Sequence, residues 1–475
     1  MKYFICVFLI LSSLITAQSG GTISFPDARS VAMGSPNAIT STGVHSIVAN
    51  PANLAFQKST VEISTLFPIP SINAFTGNDF MSFNDLEYYF GGVNDANGNL
   101  VGRYLDSSEK EILLSKFGNK NNIQFNTAIN LFSASVFAGK DIGSFGFSIN
   151  DIIGQKTNLP KDLIDLGING NEIGRAYSLA DFQLSTSYLR EYDFTYARDF
   201  SYLLDDIFKS FSAGITFKVV NGFAYSEIQK INTKISTLED HSILIENDFK
   251  AKIAISPDFG IEWDFDKSKK KQNISPFLKP AGTGFGINLG FAAQIDSIWG
   301  LALSITDIGS VNWNTDPVTF ESKGSFLITD IIDSTLTDSL NKYLEPTGHY
   351  SDGFSSSLPT ALRLGASFRL DKFLDKGDFP GEMLIVFGFN QGFNNSLNNT
   401  TVPLFALGFE WKPASIIPIR SGFTFGGFNG FAWSFGFGID TNIFEINFAS
   451  ADILSVLKGN DTKIAQFTVG TRWKF

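Results

Sequence analysis

The sequence predicts an all-β chain: a transmembrane antiparallel β-barrel of about 14 to 16 strands with an N-terminal segment plugging its lumen. Three observations predict it. Apolar residues alternate with small or polar ones at period two through most of the second half. Among 475 residues there are 49 Phe and 43 Gly, against 12 Tyr and 6 Trp, and mean hydropathy is near zero. The chain opens on an export-like segment and closes on an alternating run that ends in phenylalanine.

Met1-Lys2, an apolar run from Tyr3 to Ile15, and Thr16-Ala17-Gln18 read as the charged, hydrophobic and cleavage regions of a signal peptide, with cleavage after Ala17. The run is shorter than the roughly 20 residues of a membrane helix. The one cysteine, Cys6, sits inside that run, so residues 18–475 have no disulfide, thiol or thiolate chemistry. A formal charge of −11 disfavours nucleic acid as a partner. The expected division is a signal peptide over 1–17, an N-terminal segment over 18–56 inside the barrel, and the barrel over 57–475.

Phe25–Phe56 is almost uncharged after Arg29 and rich in Ala, Ser, Gly, Thr and Asn, which lets backbone lie against backbone. Asp27 is placed to cap a short helix over Ala28–Met33, and Gly34 to end it. Asn50-Pro51-Ala52-Asn53 reads as a tight turn: the proline fixes its own φ and biases Asn50 to extended backbone, and Asn53 can bond back locally.

The run Asp27-Ala28-Arg29-Ser30-Val31-Ala32-Met33-Gly34, followed by Ala49-Asn50-Pro51-Ala52-Asn53-Leu54-Ala55, resembles the N-terminal segment of FadL-like outer-membrane barrels. That superfamily holds long-chain fatty-acid and aromatic-hydrocarbon channels, secretion-associated relatives and barrels of unknown function. The resemblance implies that Asn50, Pro51, Ala52 and Asn53 form the turn of a hatch. Asn53 departs from the family pattern, which usually has glycine there.

Along the chain, Thr60–Phe67 reads as the first strand and Pro68 to Asn122 as a long excursion. Within it Asn94–Asn99 reads as a turn, not a calcium loop, because Val93 and Tyr104 would occupy ligand positions. Phe125–Phe137 and Ile142–Asn150 form a hairpin around Gly139-Lys140-Asp141. Lys161–Leu166 is a helix-like turn, Phe182–Arg198 a strand, and Phe200–Phe211 an amphipathic helix. Strands follow at Phe211–Phe223, Ala224–Thr237 and Ile243–Trp263, then a charged connection at Asp266–Lys271.

Gly284–Ile295 places Phe285, Ile287, Leu289, Phe291, Ala293 and Ile295 on one face, with glycines and polar residues on the other. Trp299–Trp313 returns, its apolar alternation ending at Asp307-Ile308-Gly309. Asn314 to Leu358 is a second excursion, helix-like near Asp338–Leu344. Seven strands complete the chain: Ala361–Leu370, Met383–Gly392, Val402–Trp411, Ile419–Phe428, Phe431–Ile439, Ile443–Ala449 and Ile464–Phe475. Most are about 9–11 residues, the span of a tilted membrane strand. Phe431, Trp433, Phe435, Phe437 and Ile439 oppose Ala432, Ser434, Gly436, Gly438 and Asp440, as a lipid face opposes a lumen face. Phe467, Val469, Thr471, Trp473 and Phe475 resemble the C-terminal signal read by the outer-membrane assembly machinery.

No chemistry-bearing constellation emerges. His45, His241 and His349 are not at helical metal-ligand spacing, no serine sits in a nucleophile elbow, and the glycines of Gly282-x-Gly284-x-Gly286 alternate within a strand instead of cradling phosphate. The expectation is no enzyme, no catalytic residue, no metal and no cofactor. Arg363, Arg369, Glu410, Glu445 and Arg472 fall on inward positions, where they pair with each other and hold the N-terminal segment, or where an arginine meets a substrate carboxylate. The expected location is the outer membrane, with membrane lipid and the barrel-assembly machinery as partners. The expected function is a channel for small hydrophobic molecules. The alternative is a non-transport barrel that docks or retains a secreted or surface protein on its two long excursions.

Overall fold

A computed structural model describes residues 27–475, apart from 205, 262, 264, 266–277, 330–344, 375–378, 398, 428–429 and 458–460. The expected signal peptide, the lysine run after Asp266 and the helix-like piece at Asp338–Leu344 lie outside the described residues.

Fourteen strand positions close into one antiparallel barrel. β1 has two halves, Val61–Thr65 and Ile72–Asn78; β2 is Lys120–Phe137, β3 Ser144–Pro160, β4 Gln183–Asp199 and β5 Ser210–Ile231. β6 is Gly282–Gln294, β7 Trp299–Trp313, β8 Ala361–Arg369, β9 Glu382–Gly392 and β10 Leu404–Ala414. β11 is Ile417–Gly426, β12 Gly430–Asp440, β13 Phe444–Ser450 and β14 Ile464–Lys474. Each pairs with its chain neighbours, and both halves of β1 pair with β14, so no edge is left open. Closure is what hydrocarbon demands, since an open edge there leaves backbone groups without partners.

The outward face is apolar around the circumference: Phe285, Phe291, Leu303, Leu364, Phe387, Phe405, Phe431 and Phe437 are all exposed, Phe285 by 73 %. A closed barrel wearing such a band is a membrane span. Placing a charge in the band, Leu303→Arg, is expected to lower folding stability in lipid vesicles by about 2–4 kcal/mol. Denaturant titration of vesicle-folded protein checks it.

Three sequence expectations change. Ile72–Asn78 belongs to the wall, so the first excursion spans only 79–119. Pro68 and Pro70 break the alternation, and the Leu66–Ser71 insertion bulges from the wall with Leu66 and Phe67 exposed, which isolates a run too short to stand out. Phe200–Phe211 is not a helix. A 3-10 turn over Ser201–Leu203 is held by the Asp199 carboxylate, which accepts from the Ser201 backbone N–H at 2.8 Å, and Phe211 already lies in β5. Ile243–Ile255 is a strand, but not of the barrel.

That third change has a structural cause. β2 to β5 run for 17 to 22 residues, well past the about 9–11 that cross a bilayer. Phe211–Phe223 and Ala224–Thr237 are therefore not two membrane strands. Ser210–Gly222 pairs with β6 in the barrel, while Ala224–Ile231 leaves that partner for Ile243–Ile255. Val318–Ile328 and Thr347–Tyr350 extend this sheet on one side, Lys234–Thr237 and Ala176–Ser178 on the other. Excursion Asn314–Leu358 is thus largely strand among its described residues. Beside the sheet, helices Phe83–Phe90, Ser107–Ser115 and Lys161–Asn169 share a small core of Met81, Leu113 and Phe117, with Ile164 and Ile168 packed against it. All of this stands at one end of the barrel. The other end carries short connections such as 138–143, 295–298 and 415–416.

Candidate functional site in the barrel lumen

Residues 27–56 lie within the wall and are buried almost throughout. Asp27 caps the helix Ala28–Ala32, its carboxylate accepting from the Ser30 N–H, and Gly34 follows at a φ of +83°. The rest is a series of short helical turns, Asn37–Thr40, Gly43–His45, Ser46–Ala49 and Pro51–Phe56. Such short turns leave many carbonyls unpaired. Polar side chains of the wall take them up: Ser434 donates to Ala32 O at 2.9 Å, Asn390 to Ser35 O at 3.1 Å and Thr216 to Ile47 O at 2.9 Å. Asn288 donates to Val48 O at 3.3 Å, Ser304 to Ala49 O at 2.8 Å and Ser212 to Ala52 O at 3.0 Å.

The wall glycines explain why the fit is so close. A Cβ on Gly422 would stand 2.3 Å from the Met33 carbonyl carbon, and one on Gly408 2.4 Å from its oxygen. Gly365 faces Ile39, Gly388 Pro36 and Gly436 Ala32 in the same manner. At the Asn-Pro turn, Gly290 lies under Asn50 and Gly214 under the Pro51–Ala52 peptide. Asn50 Oδ1 accepts from Ala52 N–H, while its amide donates to Ala38 O and to Phe291 O in the wall. Asn53, where the resemblance led to an expectation of glycine, donates to Ala38 O and Ser41 O, both at 2.9 Å. Pro51 and Ala52 are buried.

Four of the five lumen charges named from the sequence are buried. Glu410 takes both Arg29, bidentately at 2.8 and 2.9 Å, and Arg420 at 2.6 Å. Arg472 joins Glu445 at 2.7 Å, Glu62 at 3.1 Å and the Thr42 carbonyl at 2.8 Å. Arg363 reaches Thr306 Oγ1 at 3.4 Å and lies in the field of Asp307. Arg369 stands at the rim, half-buried, on Asp371 and Glu382. In the C-terminal run, Phe467 and Phe475 are exposed, while Val469 and Thr471 are buried and Thr471 donates to Ile69 O in the β1 bulge. Trp473 packs on Phe444.

Sequence reading missed the cluster at mid-lumen. Lys218, fully buried, places Nζ 2.7 Å from Glu191, 2.6 Å from Asp307 and 3.8 Å from Asp193. Asp307 has a φ of +60° at a bulge between β6 and β7, where its N–H donates to Asn288 Oδ1 and its carbonyl accepts from Thr360. Two signals were available: a lysine within the apolar Ile215–Val220 run, and the Asp307 break already noted.

The filled lumen separates two cavities. The one toward the long-loop end, about 380 Å³, is lined by Ile152, Leu189, Tyr225 and Leu358, by Ser185 and Ser187, and by Lys156, Glu227, Glu191 and Asp307. The one toward the short turns, about 900 Å³, is lined by Arg29, Glu62, Glu410, Arg420, Glu445 and Arg472. Among the described residues no group of three or more His, Cys, Asp or Glu side chains is arranged to hold a metal ion.

The model of a family described as "Family of unknown function (DUF5723)" matches residues 51–451. No curated protein matches. Among solved structures, the toluene transporter TodX of Pseudomonas putida aligns at a TM-score of 0.46 and 8 % identity, covering 97 % of this chain and 99 % of that one. The toluene transporter TbuX of Ralstonia pickettii aligns at 0.44 and 12 %, covering 96 % and 98 %.

Proposed function

We propose that the chain, which belongs to the DUF5723 family, is an outer-membrane channel through which small, largely hydrophobic molecules are taken up, with residues 27–56 as its hatch. The observation that carries the reading is the arrangement of one cavity on each side of a segment that fills the lumen. A water-filled pore leaves its lumen open, and a purely structural barrel has no need of a chamber at each end. Outer-membrane barrels keep short turns on the periplasmic side. The 380 Å³ chamber is then the outer one, and the ionic chamber opens inward. Apolar groups on its wall (Ile152, Leu189, Leu358) give the cargo a weak resting place, and passage follows when the segment shifts. The resemblance of Asp27–Gly34 and Ala49–Ala55 to FadL-like hatches supports the apolar character of the cargo. The docking alternative has no feature in its favour beyond the long loops themselves.

The test is the double variant Asn50→Ala, Pro51→Ala. It removes the turn and its bonds to Ala38 and Phe291 and leaves the wall ladder untouched. Uptake of a radiolabelled aromatic hydrocarbon by proteoliposomes is expected to change severalfold while the barrel still folds. Unchanged uptake in a folded variant would overturn the hatch role, and no uptake by the unaltered protein would overturn the channel.

A further inference from the structure

Charges facing the lumen are paired almost throughout. Lys218 is neutralised by Glu191 and Asp307, Glu410 by Arg29 and Arg420, and Arg472 by Glu62 and Glu445. Two in the outer cavity are not. Among the described residues Lys156 on β3 has no ion-pair partner, and the carboxylate of Glu227 on β5 accepts only the Tyr225 hydroxyl, at 3.1 Å. They do not pair with each other. Ladder register explains why: Lys156 stands opposite Ser185 and Ser185 opposite Glu227, so the two charges are two strand spacings apart, about 9–10 Å between backbones. Ser185 lies between them, with Gly154 and Ser187 below; Tyr225 stands below Glu227, and Lys252 stands opposite Glu227 on the strand Ile243–Ile255 with its ammonium 5.1 Å from the Phe354 ring centre. Deeper in, the cavity turns apolar at Ile152, Leu189, Leu358 and Tyr225, whose ring packs 5.2 Å from Trp313.

We infer that the outer cavity is a binding subsite for a small zwitterion with an apolar body, of the chemical class of an apolar dipeptide: its carboxylate pairs with Lys156, its ammonium with Glu227, and its side chains rest on Ile152, Leu189 and Leu358. The inference rests on the reading of this cavity as the outer chamber of a channel. A hydrocarbon entering here strips water from both charges and returns no hydrogen bond. A simple fatty acid satisfies Lys156 alone, and a simple amine Glu227 alone. A molecule with both groups satisfies the pair, and about 380 Å³ falls within the range of small-ligand pockets.

The experiment is calorimetric titration of the full-length protein in detergent micelles with leucyl-leucine, N-acetyl-leucyl-leucine, leucyl-leucine amide and octanoate. Leucyl-leucine is expected to bind, and capping either end to weaken binding about tenfold or more, as befits the loss of a charge-assisted hydrogen bond. Lys156→Met is expected to abolish the discrimination against the amide, and Glu227→Gln that against the acetylated form. Octanoate binding as tightly as the dipeptide, equal binding of all four probes, or no dipeptide binding at millimolar concentration would each overturn the subsite. The unaltered protein's discrimination among probes decides the matter even where a variant fails to fold. Dipeptide binding with uptake of neither dipeptide nor hydrocarbon by proteoliposomes removes the channel and leaves the subsite standing; hydrocarbon uptake without dipeptide binding does the reverse.

Discussion

Replacing Gly422 with valine is expected to drive residues 27–56 from the lumen and turn a closed barrel into a conducting one. The first carbon of the new side chain would sit 2.3 Å from the Met33 carbonyl carbon and 2.7 Å from the Gly34 nitrogen. Backbone is on both sides of that contact, so no flexible side chain can swing clear. The wall cannot yield either, because β11 is laddered to β10 and β12. Overpacking costs about 1–3 kcal/mol even where side chains can adjust, and here at least the upper figure applies. The segment is the element free to leave. Single-channel recording in planar bilayers reads the result: near-silence for the unaltered protein, a steady ion current for Gly422→Val. Phe425→Val, on the outward face of the same strand, is the control and stays silent. A folded, silent Gly422→Val would show that the segment tolerates the intrusion.

Glu410→Leu is expected to cost about 3–5 kcal/mol of folding free energy. Among the described residues Glu410 is the only carboxylate bonded to Arg420, and it takes Arg29 bidentately from the N-terminal segment. Removing it leaves two guanidinium groups inside the wall facing each other's charge. Arg29→Met alone removes a single cation and leaves the Glu410–Arg420 pair whole, so it costs less. The double variant Arg29→Met, Glu410→Leu is expected to be more stable than the sum of the two losses implies, since the repelling pair is gone. Urea midpoints in micelles check all three. Strict additivity would mean that the segment is not held through this carboxylate.

The wall was legible where physics leaves one choice. In lipid each strand must be apolar outward and may be small or polar inward, so β6, β10 and β12 announce themselves. The same alternation made Gly436 visible as an inward residue, though not what it faces. Legibility failed where backbone departs from the ladder. Ile72–Asn78 carries the alternation of half a strand behind two prolines. Phe200–Phe211 has apolar spacing that suits a helix, but Asp199 and Ser201 make a turn there. The projecting sheet could not be separated from the barrel, because β5 serves both with one uninterrupted run. Lys218 and Asp307 sit 89 residues apart in the chain, and only the pairing of β5 and β7 on either side of β6 brings them together.

The bulge at Leu66–Ser71 bears on how the cylinder is sealed. Sealing joins the last strand to the first, and here the first comes in two pieces held to the last through different residues: Ile63 opposite Trp473, and Ile72 opposite Val469. A uniform strand can slide by two residues and still present the same faces. This one cannot, because sliding either piece alone changes the slack between them, and sliding both breaks the bonds from Thr471 to Ile69 O and to Ser71. The bulge therefore acts as a key cut into the seam, fixing the stagger of the whole cylinder, and with it the tilt of every strand, at the moment of closure.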